Sequence, residues 1–341
     1  MRLFVTIVSV SLIVFLFIYV FHTKSYLFEK EAFDSQSLER RIDTLDVGSR
    51  KEVSLPDSLY RPEQILFKEG YIYILDFSDM RIYRFDQEWN LISIIGNGKG
   101  RGPGEALLIT DFFVDSNFIW VVDSRQFKIL KFDLNGNLVD ELNSKIHPLR
   151  IFSNDESIFY LSLGDELLFS KINIENGLEK RFGQFPELEA KSSILYDGQI
   201  TGGKTNDFYY LPFYYSKLYK FSGTEANRIQ TIHLPDAQDK PELKIESGST
   251  RITAPKEERI NNTGIDVYNG KVFVATYDKG VWNGEKYVEE WKLFLDVYDE
   301  ESGEYLQSYR VPGFFHNFAL GEKKMYMILP SDIIYEVPFE Y

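Results

Sequence analysis

The sequence contains no cysteine, and this absence limits both its chemistry and its cellular context. Without thiols the chain has no disulfide bond, no thiolate metal site and no cysteine nucleophile. It also has no cysteine that could carry a lipid, so we do not expect a bacterial lipoprotein. A cysteine-free chain suits both the cytoplasm and an exported protein without disulfides, so the compartment has to be inferred from the N-terminal segment.

Positive charge is scarce relative to negative charge. The chain has 38 Lys and Arg residues against 52 Asp and Glu residues, which gives a formal net charge of −14. Phosphate-rich partners are bound through clustered Lys and Arg side chains. We therefore expect no nucleic-acid partner.

The sequence also lacks the common catalytic motifs. It has no G-x-S-x-G elbow, no H-E-x-x-H and no Walker sequence. The glycine-rich stretch at 96–104 has no G-K-[ST] ending and precedes a strand rather than a helix. We interpret it as a tight connection whose glycines adopt positive φ, and we expect no bound cofactor.

A long apolar run, Leu3 to Phe21, lies near the N-terminus. Its residues carry no charge, and at a rise of about 1.5 Å per residue they match the ~30 Å hydrocarbon core of a bilayer. A cleavable signal peptide has a shorter apolar core followed by a small-x-small site, and no such site follows Phe21. The run predicts an uncleaved transmembrane helix within residues 1–24, with cleavage and secretion as the alternative. Residues 25–46 are then expected to form a stalk.

A repeat organises the rest of the chain. The stretch from Tyr71 to Gly104 returns in part as Phe118 to Val139, and three polar residues recur at a constant offset of 47: Asp76 and Asp123, Asp86 and Asp133, Asn90 and Asn137. Periods of about 40–50 residues are typical of propeller blades. Because the aspartates recur, we interpret them as turn-capping residues rather than as parts of a single active site.

Six such units can be counted. Their second strands are predicted at Tyr71–Leu75, Phe118–Val122, Ile158–Ser162, Phe208–Pro212, Val272–Thr276 and Met325–Leu329. The sixth unit lacks a fourth strand, and the segment from Lys51 to Leu55 could supply it and so close the ring. The predicted fold is an all-β, six-bladed propeller with four-stranded antiparallel blades over residues 47–341. A β-sandwich is the structural alternative.

Units one and two resemble a known repeat. The sequence G-N-G-K-G-R-G-P-G-E from Gly96 to Glu105, then the strand from Ile119 to Asp123, then K-I-L-K-F-D from Lys128 to Asp133 are similar to the NHL-type repeat. The whole chain resembles exported six-bladed propellers of Bacteroidetes, many of which carry the lipoprotein cysteine that is missing here. The resemblance fades in units three to six. It implies the fold, and it implies a possible metal or catalytic centre in the axial channel.

Candidate site residues come from the inner strands and the blade tops. His147 and His316 stand near the start of the inner strands of blades three and six, so both are weak candidates for a metal site. Aromatic residues at 209–210 and 213–215 and Trp282 exceed what packing requires. Two segments, 236–263 and 278–290, break the repeat. The predicted binding residues are Arg101, Glu105, Asp111, His147, Arg150, His316 and Asn317.

The sequence thus favours a binding or scaffolding module for a protein, peptide or glycan. It would be anchored in the bacterial inner membrane by residues 3–21, with the propeller in the periplasm. No catalytic residue is assigned. The alternative is a lactonase-like hydrolase or lyase with its centre in the channel, acting with or without a metal.

Overall fold

The computed structural model describes residues 40–154, 156–164, 167–183, 195–203, 207–215, 217–222, 228–234, 242–246, 249–253, 262–278 and 292–341. The predicted anchor, Leu3 to Phe21, and the first part of the predicted stalk lie outside these residues. In the described part of the chain, no helix is long and apolar enough to cross a membrane.

The described elements are β-strands, and most of them form six sheets. Two short strands come first, β1 (Ile42–Thr44) and β2 (Lys51–Glu52). Blade one contains β3 (Pro62–Lys68), β4 (Tyr71–Asp76), β5 (Arg81–Phe85) and β6 (Leu91–Ile95). Blade two contains β7 (Ile109–Val114), β8 (Phe118–Asp123), β9 (Lys128–Asp133) and β10 (Leu138–Asn143). Blade three contains β11 (Pro148–Ser153), β12 (Ser157–Ser162), β13 (Phe169–Asn173) and β14 (Glu179–Phe182).

The second half repeats this plan. Blade four contains β15 (Gly198–Gly202), β16 (Phe208–Pro212), β17 (Lys217–Ser222) and β18 (Arg228–His233). A separate hairpin follows, β19 (Glu242–Glu246) and β20 (Ser249–Thr253). Blade five contains β21 (Asn262–Tyr268), β22 (Lys271–Asp278), β23 (Lys292–Asp299) and β24 (Tyr305–Val311). Blade six contains β25 (Asn317–Gly321), β26 (Lys324–Ile328) and β27 (Ile334–Pro338).

The six predicted second strands are therefore confirmed, with ends shifted by a few residues. Leaving aside the two N-terminal strands, the strands of each blade are sequential and antiparallel, so the β-sandwich is excluded. The long insertion predicted at 236–263 contains the hairpin β19–β20, and its last two residues belong to β21. The loop predicted at 278–290 begins with the last residue of β22, and the remainder lies outside the described residues.

The two N-terminal strands extend the last two blades. β1 pairs in parallel with β24, so blade five has a fifth strand, and this strand comes from the predicted stalk. β2 pairs antiparallel with β27, with Lys51 opposite Glu336 and Glu52 opposite Tyr335. The edges of β24 and β27 are thereby covered by residues close to the N-terminus.

The recurring aspartates hold the turns, as the repeat predicts. Asp86 and Asp133 each accept hydrogen bonds from the backbone and side-chain nitrogens of an asparagine four residues later, with all four distances at 2.8 Å. Asp123 is fully buried, and its carboxylate accepts hydrogen bonds from the backbone N–H groups of residues 107, 108, 125 and 126. Short polar side chains that satisfy local backbone donors are what tight turns require.

The core lies between neighbouring blades. The second strand of each blade is buried on both faces; β12, for example, is buried at every residue from Ser157 to Ser162. Aromatic rings fill the gaps between the twisted sheets. The rings of Phe208 and Phe221 stack with their centroids 4.6 Å apart, and Phe169 meets both edge-on. Phenylalanine is used here because a large, flat side chain fills the wedge between two blades.

The disc has two different faces. We call the face at which the first strand of each blade begins the upper face, and the opposite face the lower face. The lower face carries the turns held by Asp86, Asp133 and Asp299. The upper face carries the connections between blades and between second and third strands. The strand ends that flank both segments that break the repeat also lie on this face. The upper face is therefore where the sequence departs from regular architecture.

Candidate functional site

The inner strands bring one residue from each blade to an equivalent position beside the axis. Each of these residues pairs with the equivalent residue of the second strand in its own blade. In four of the blades, the pairing of the first and second strands shifts register just before this residue. We call these residues the axial ring: Gln64, Asp111, Arg150, Gln199, Gly264 and Asn317. Three of the seven predicted site residues, Asp111, Arg150 and Asn317, belong to it.

Side chains of the axial ring join one blade to the next. The Asn317 side-chain oxygen accepts a hydrogen bond from the backbone N–H of Ile65, at 3.0 Å. One oxygen of Asp111 accepts from the side-chain nitrogen of Gln64 at 2.7 Å, and the other accepts from the backbone N–H of Ile151 at 2.8 Å. These contacts connect blade six to one, one to two, and two to three. Asp111 and Asn317 therefore hold the inner strands together.

Asp111 is the acidic residue of the axial ring, and its carboxyl group is strongly perturbed. Its side chain is 6% exposed, and burial raises its pKa to about 6, although the nearby Arg150 guanidinium and its own hydrogen bonds oppose the rise. Burial disfavours the charged carboxylate because water no longer solvates it. Asp111 consequently changes its charge close to neutral pH.

Arg150 connects blade three to blade four. Its guanidinium lies 3.4 Å from a carboxylate oxygen of Asp197 and donates a hydrogen bond to the carbonyl oxygen of Thr110. It also lies 5.9 Å from the centre of the Phe213 ring. Arg150 is therefore held by a carboxylate, a carbonyl and an aromatic ring, which limits its use as a free anion-binding group.

Two further positions of the axial ring, Gln199 and Gly264, differ in chemistry. The Gln199 side chain donates to the Thr263 carbonyl at 3.1 Å and accepts from the N–H of Ile265 at 3.1 Å, and so joins blade four to five. Blade five places Gly264 at its ring position. A Cβ there would lie 2.8 Å from a ring carbon of Phe318. Glycine is required because the aromatic ring of blade six occupies the space of a side chain.

The two candidate histidines lie in different surroundings. His147 lies in the connection between blades two and three. It packs against Phe127, which lies between the second and third strands of blade two, with ring centres 5.2 Å apart. His316 precedes β25, and its Nε2 atom is buried without a hydrogen-bond partner among the described residues. Within the described ranges, no group of three His, Asp or Glu residues is arranged to hold a metal ion.

Arg101 and Glu105 belong to the glycine-rich connection rather than to the axial ring. Arg101 is exposed on the upper face. A carboxylate oxygen of Glu105 accepts from the backbone N–H of Gly102 at 2.7 Å, so this residue shapes the loop. Gly96, Gly98 and Gly104 have φ values of 90°, 90° and 69°, which confirms the interpretation of the stretch as a tight turn.

Exposed aromatic rings were not all found from the sequence. Tyr209 and Tyr210 are fully buried, so the expectation that they exceed what packing requires is wrong; the second strand of blade four uses them as core. Trp282 lies outside the described residues. The described aromatic residues that are most exposed are Tyr60 (71%), Phe127 (43%) and Phe314 (41%).

All three of these rings belong to upper-face connections. Tyr60 and Phe314 each precede the inner strand of a blade, and Phe127 lies between a second and a third strand. Phe314 also stacks on Tyr277, with ring centres 5.6 Å apart. No periodic pattern marks such positions, because connections have no period. Their exposure became visible only in three dimensions.

The fold is shared with solved structures of low sequence identity. An exported protein of Bacteroides fragilis matches with a TM-score of 0.57 and 14% identity, over 88% of this chain and 99% of that one. A member of the DUF4221 family from Bacteroides vulgatus matches with a TM-score of 0.59 and 13% identity, over 85% and 96% of the two chains.

A third structure is an enzyme. Virginiamycin B lyase from Staphylococcus aureus matches with a TM-score of 0.51 and 13% identity, over 85% of this chain and 99% of that one. Likeness at this identity shows the fold alone. No curated protein sequence matches the chain.

The family model described as "6-bladed beta-propeller" matches residues 57–334. This match covers the blades described above, from the connection before β3 to the start of β27. On this match and on the six sheets, the chain belongs to the DUF5128 family of six-bladed β-propellers.

Proposed function

We propose that this protein is an exported, membrane-anchored propeller that binds a protein, peptide or glycan ligand on its upper face. One observation carries the proposal: the three most exposed aromatic side chains of the described residues, Tyr60, Phe127 and Phe314, all lie on that face. Aromatic rings that stay in contact with water offer a large contact area at little cost in conformational entropy, which suits recognition of peptides and of sugar rings.

The distribution of loops supports the same face. Loops on a rigid scaffold carry binding more often than the scaffold itself. Here the hairpin β19–β20 and the connection after β22 both leave from the upper face, whereas the lower face is closed by aspartate-held turns. A ligand-binding surface on the upper face would thus combine a scaffold of packed strands with loops.

In this proposal the N-terminal region has two tasks. Residues 3–21 anchor the chain in the inner membrane, with the blades in the periplasm. We infer that β2 closes the ring; its pairing with β27, which gives the sixth blade a fourth strand, supports this. The exported Bacteroides fragilis protein of similar fold supports a location outside the cytoplasm.

The experiment is a binding screen of the full-length protein in detergent against arrays of peptides and glycans. We expect a ligand whose affinity falls about tenfold or more in Tyr60→Ala and in Phe314→Ala, since a buried aromatic contact is a common hot spot. The matched control is Leu178→Ala, because Leu178 is 69% exposed in a lower-face turn. A ligand whose affinity falls in the Leu178 variant and not in the other two would refute the upper-face assignment.

The alternative is a hydrolase or lyase acting at the mouth of the channel. The unpartnered Nε2 atom of His316 favours it, because a histidine nitrogen that is free of protein partners can act on a bound molecule. If the protein is such an enzyme, turnover should be abolished in His316→Ala. It should be retained in His147→Ala, because the His147 ring packs on Phe127. Elemental analysis of the purified protein would test for a bound metal.

A further inference from the structure

The outer strand of blade one is an unusual edge. β6 reads Leu-Ile-Ser-Ile-Ile and carries no charged residue. It has β5 as its one neighbour among the described strands. Leu91, Ile92 and Ile94 are 43%, 49% and 40% exposed. Proteins normally protect an exposed edge with charges or by covering it, because unpaired backbone groups invite another strand.

The other described blade edges are protected in these ways. β10 carries Asp140 and Glu141, β14 begins with Glu179, and β18 begins with Arg228. The edges of blades five and six are covered by β1 and β2. Among the described outer edges, β6 alone is both uncovered and uncharged.

The apolar and charged residues around β6 match those of an identical strand that runs in the opposite direction. Two isoleucines, Ile92 and Ile94, flank Ser93 symmetrically and point to the same face of the strand. The turn before the strand is acidic, with Asp86 and the exposed Glu88, whereas the connection after it is basic, with exposed Lys99 and Arg101. An antiparallel partner with the same sequence would place acidic ends against basic ends.

We propose that β6 pairs antiparallel with β6 of a second copy of this chain, about a two-fold axis near Ser93. Ile92 would then face Ile94 of the second copy, and Glu88 would lie beside the second copy's Lys99 and Arg101. A two-fold axis is the commonest symmetry of protein pairs and uses the same patch on both copies. The charge pattern selects a second copy over an unrelated strand, and it offsets part of the repulsion between two molecules of net charge −14.

The first test is the mass of the full-length protein in detergent, measured by sedimentation at several concentrations. We expect a dimer whose dissociation constant rises about tenfold or more in Ile92→Lys and in Ile94→Lys. Leu178→Lys is the matched control, because Leu178 is exposed elsewhere and should leave the dimer intact. A wild-type monomer, or a dimer that persists in both isoleucine variants, overturns the proposal; the second result would place the contact elsewhere, for example in the apolar run at 3–21.

The second test uses charge and does not depend on the isoleucine variants folding. Glu88→Lys should weaken the dimer, and Lys99→Glu with Arg101→Glu should weaken it as well. The combination of all three changes should restore it, since the acidic and basic ends are then exchanged on both copies. Failure of the combined variant to recover the dimer would count against the antiparallel register.

A third test exploits the absence of cysteine. The double variant Ile92→Cys, Ile94→Cys creates the sole thiols of the chain. Residues directly opposite each other across antiparallel strands are close enough to be oxidised to a disulfide. We expect covalent dimers on mild oxidation, and their absence in a protein that still sediments as a dimer would rule out the proposed strand pairing.

Discussion

Asp111 shows how a single buried carboxyl group serves the architecture at some cost to stability. It links blades one, two and three by accepting hydrogen bonds from Gln64 and Ile151, and its pKa of about 6 lies well above the ~3.9 of an unfolded aspartate. The folded state therefore binds the proton of this group more tightly than the unfolded state. Its contribution to stability is fully present below about pH 4 and is lost as the pH rises through about 6.

The change Asp111→Asn should remove this pH dependence while preserving an acceptor for Ile151. The difference of about two pKa units corresponds to about 3 kcal/mol. We expect the unfolding free energy of the variant, relative to wild type, to increase by up to roughly this amount between pH 4.5 and pH 7.5. Urea denaturation of both proteins across that range measures it.

The change Asp133→Asn is a control, because its effect on stability should depend on pH in the opposite direction. Hydrogen bonds from the Asn137 side chain and backbone lower the pKa of Asp133, so its stabilising effect is present at neutral pH and fades as the pH falls. Relative to wild type, this variant should lose stability as the pH rises towards about 4 and should then change little between pH 4.5 and pH 7.5, because Asp133 is already ionised in both states there. If both variants followed the same trend, the assignment of the raised pKa to Asp111 would be wrong.

Among the elements, β1 is bound to blade five by more than its backbone. The Arg40 guanidinium, just before β1, lies 3.0 Å from a carboxylate oxygen of Asp296, whose side chain is fully buried. It also donates to the Thr276 hydroxyl at 3.0 Å and lies 4.4 Å above the centre of the Phe294 ring. The side chain of Arg40 therefore penetrates the edge of the blade and neutralises a buried charge.

The change Arg40→Met should destabilise the protein by about 3 kcal/mol, because loss of one partner leaves Asp296 charged and buried. Arg41→Met is the matched control. Arg41 is adjacent and exposed, so its removal should cost less than about 0.5 kcal/mol. Urea denaturation at neutral pH distinguishes the two. Equal, small effects would show that Asp296 does not depend on Arg40.

Elements differed in how well the sequence predicted them. The second and third strands of the blades were recognised because they are runs of β-branched and aromatic residues bounded by Asp and Gly turns. β1 was not recognised, since Ile42-Asp43-Thr44 is short, exposed and polar. Its strand state comes from the hydrogen bonds of β24, and a segment that pairs only across a distance of more than 250 residues leaves no local signal.

At the scale of the whole molecule, we expect stability to depend on how the edges of the last two blades are covered. The last blade has three strands from the C-terminal region and takes β2 from the N-terminal region. Val53 follows β2, is 8% exposed and donates a backbone hydrogen bond to the Ile334 carbonyl at 3.0 Å. The segment from Arg40 to Val53 thus protects two sheet edges at once.

A chain that starts at Leu55 should aggregate and melt at a lower temperature than one that starts at Arg40. Without the segment, the edges of β24 and β27 are open and can pair with other molecules. Light scattering and thermal unfolding of the two proteins, prepared in parallel, make the comparison. Equal melting temperatures and equal monodispersity would show that closure by the N-terminal strands is dispensable.

The candidate site was predictable in part. Asp111, Arg150 and Asn317 were found because polar residues at the start of inner strands interrupt an otherwise apolar pattern, but the sequence did not show that they bond to neighbouring blades. Those partners, such as Ile151 for Asp111, lie 40 residues away. The exposed rings of Tyr60 and Phe314 lie in connections, where exposure depends on what the rest of the disc leaves uncovered.

By itself, the sequence determined the repeat, the number of blades and the turn chemistry, since each depends on contacts within about 50 residues. Its composition also excluded thiol chemistry, and its net negative charge predicts that nucleic acid is not a partner. Only the tertiary structure decided which polar residues join blades, which aromatic rings meet water, and which outer edge stays bare. Those properties arise from contacts between blades, and residues that meet across the ring carry no shared pattern along the chain.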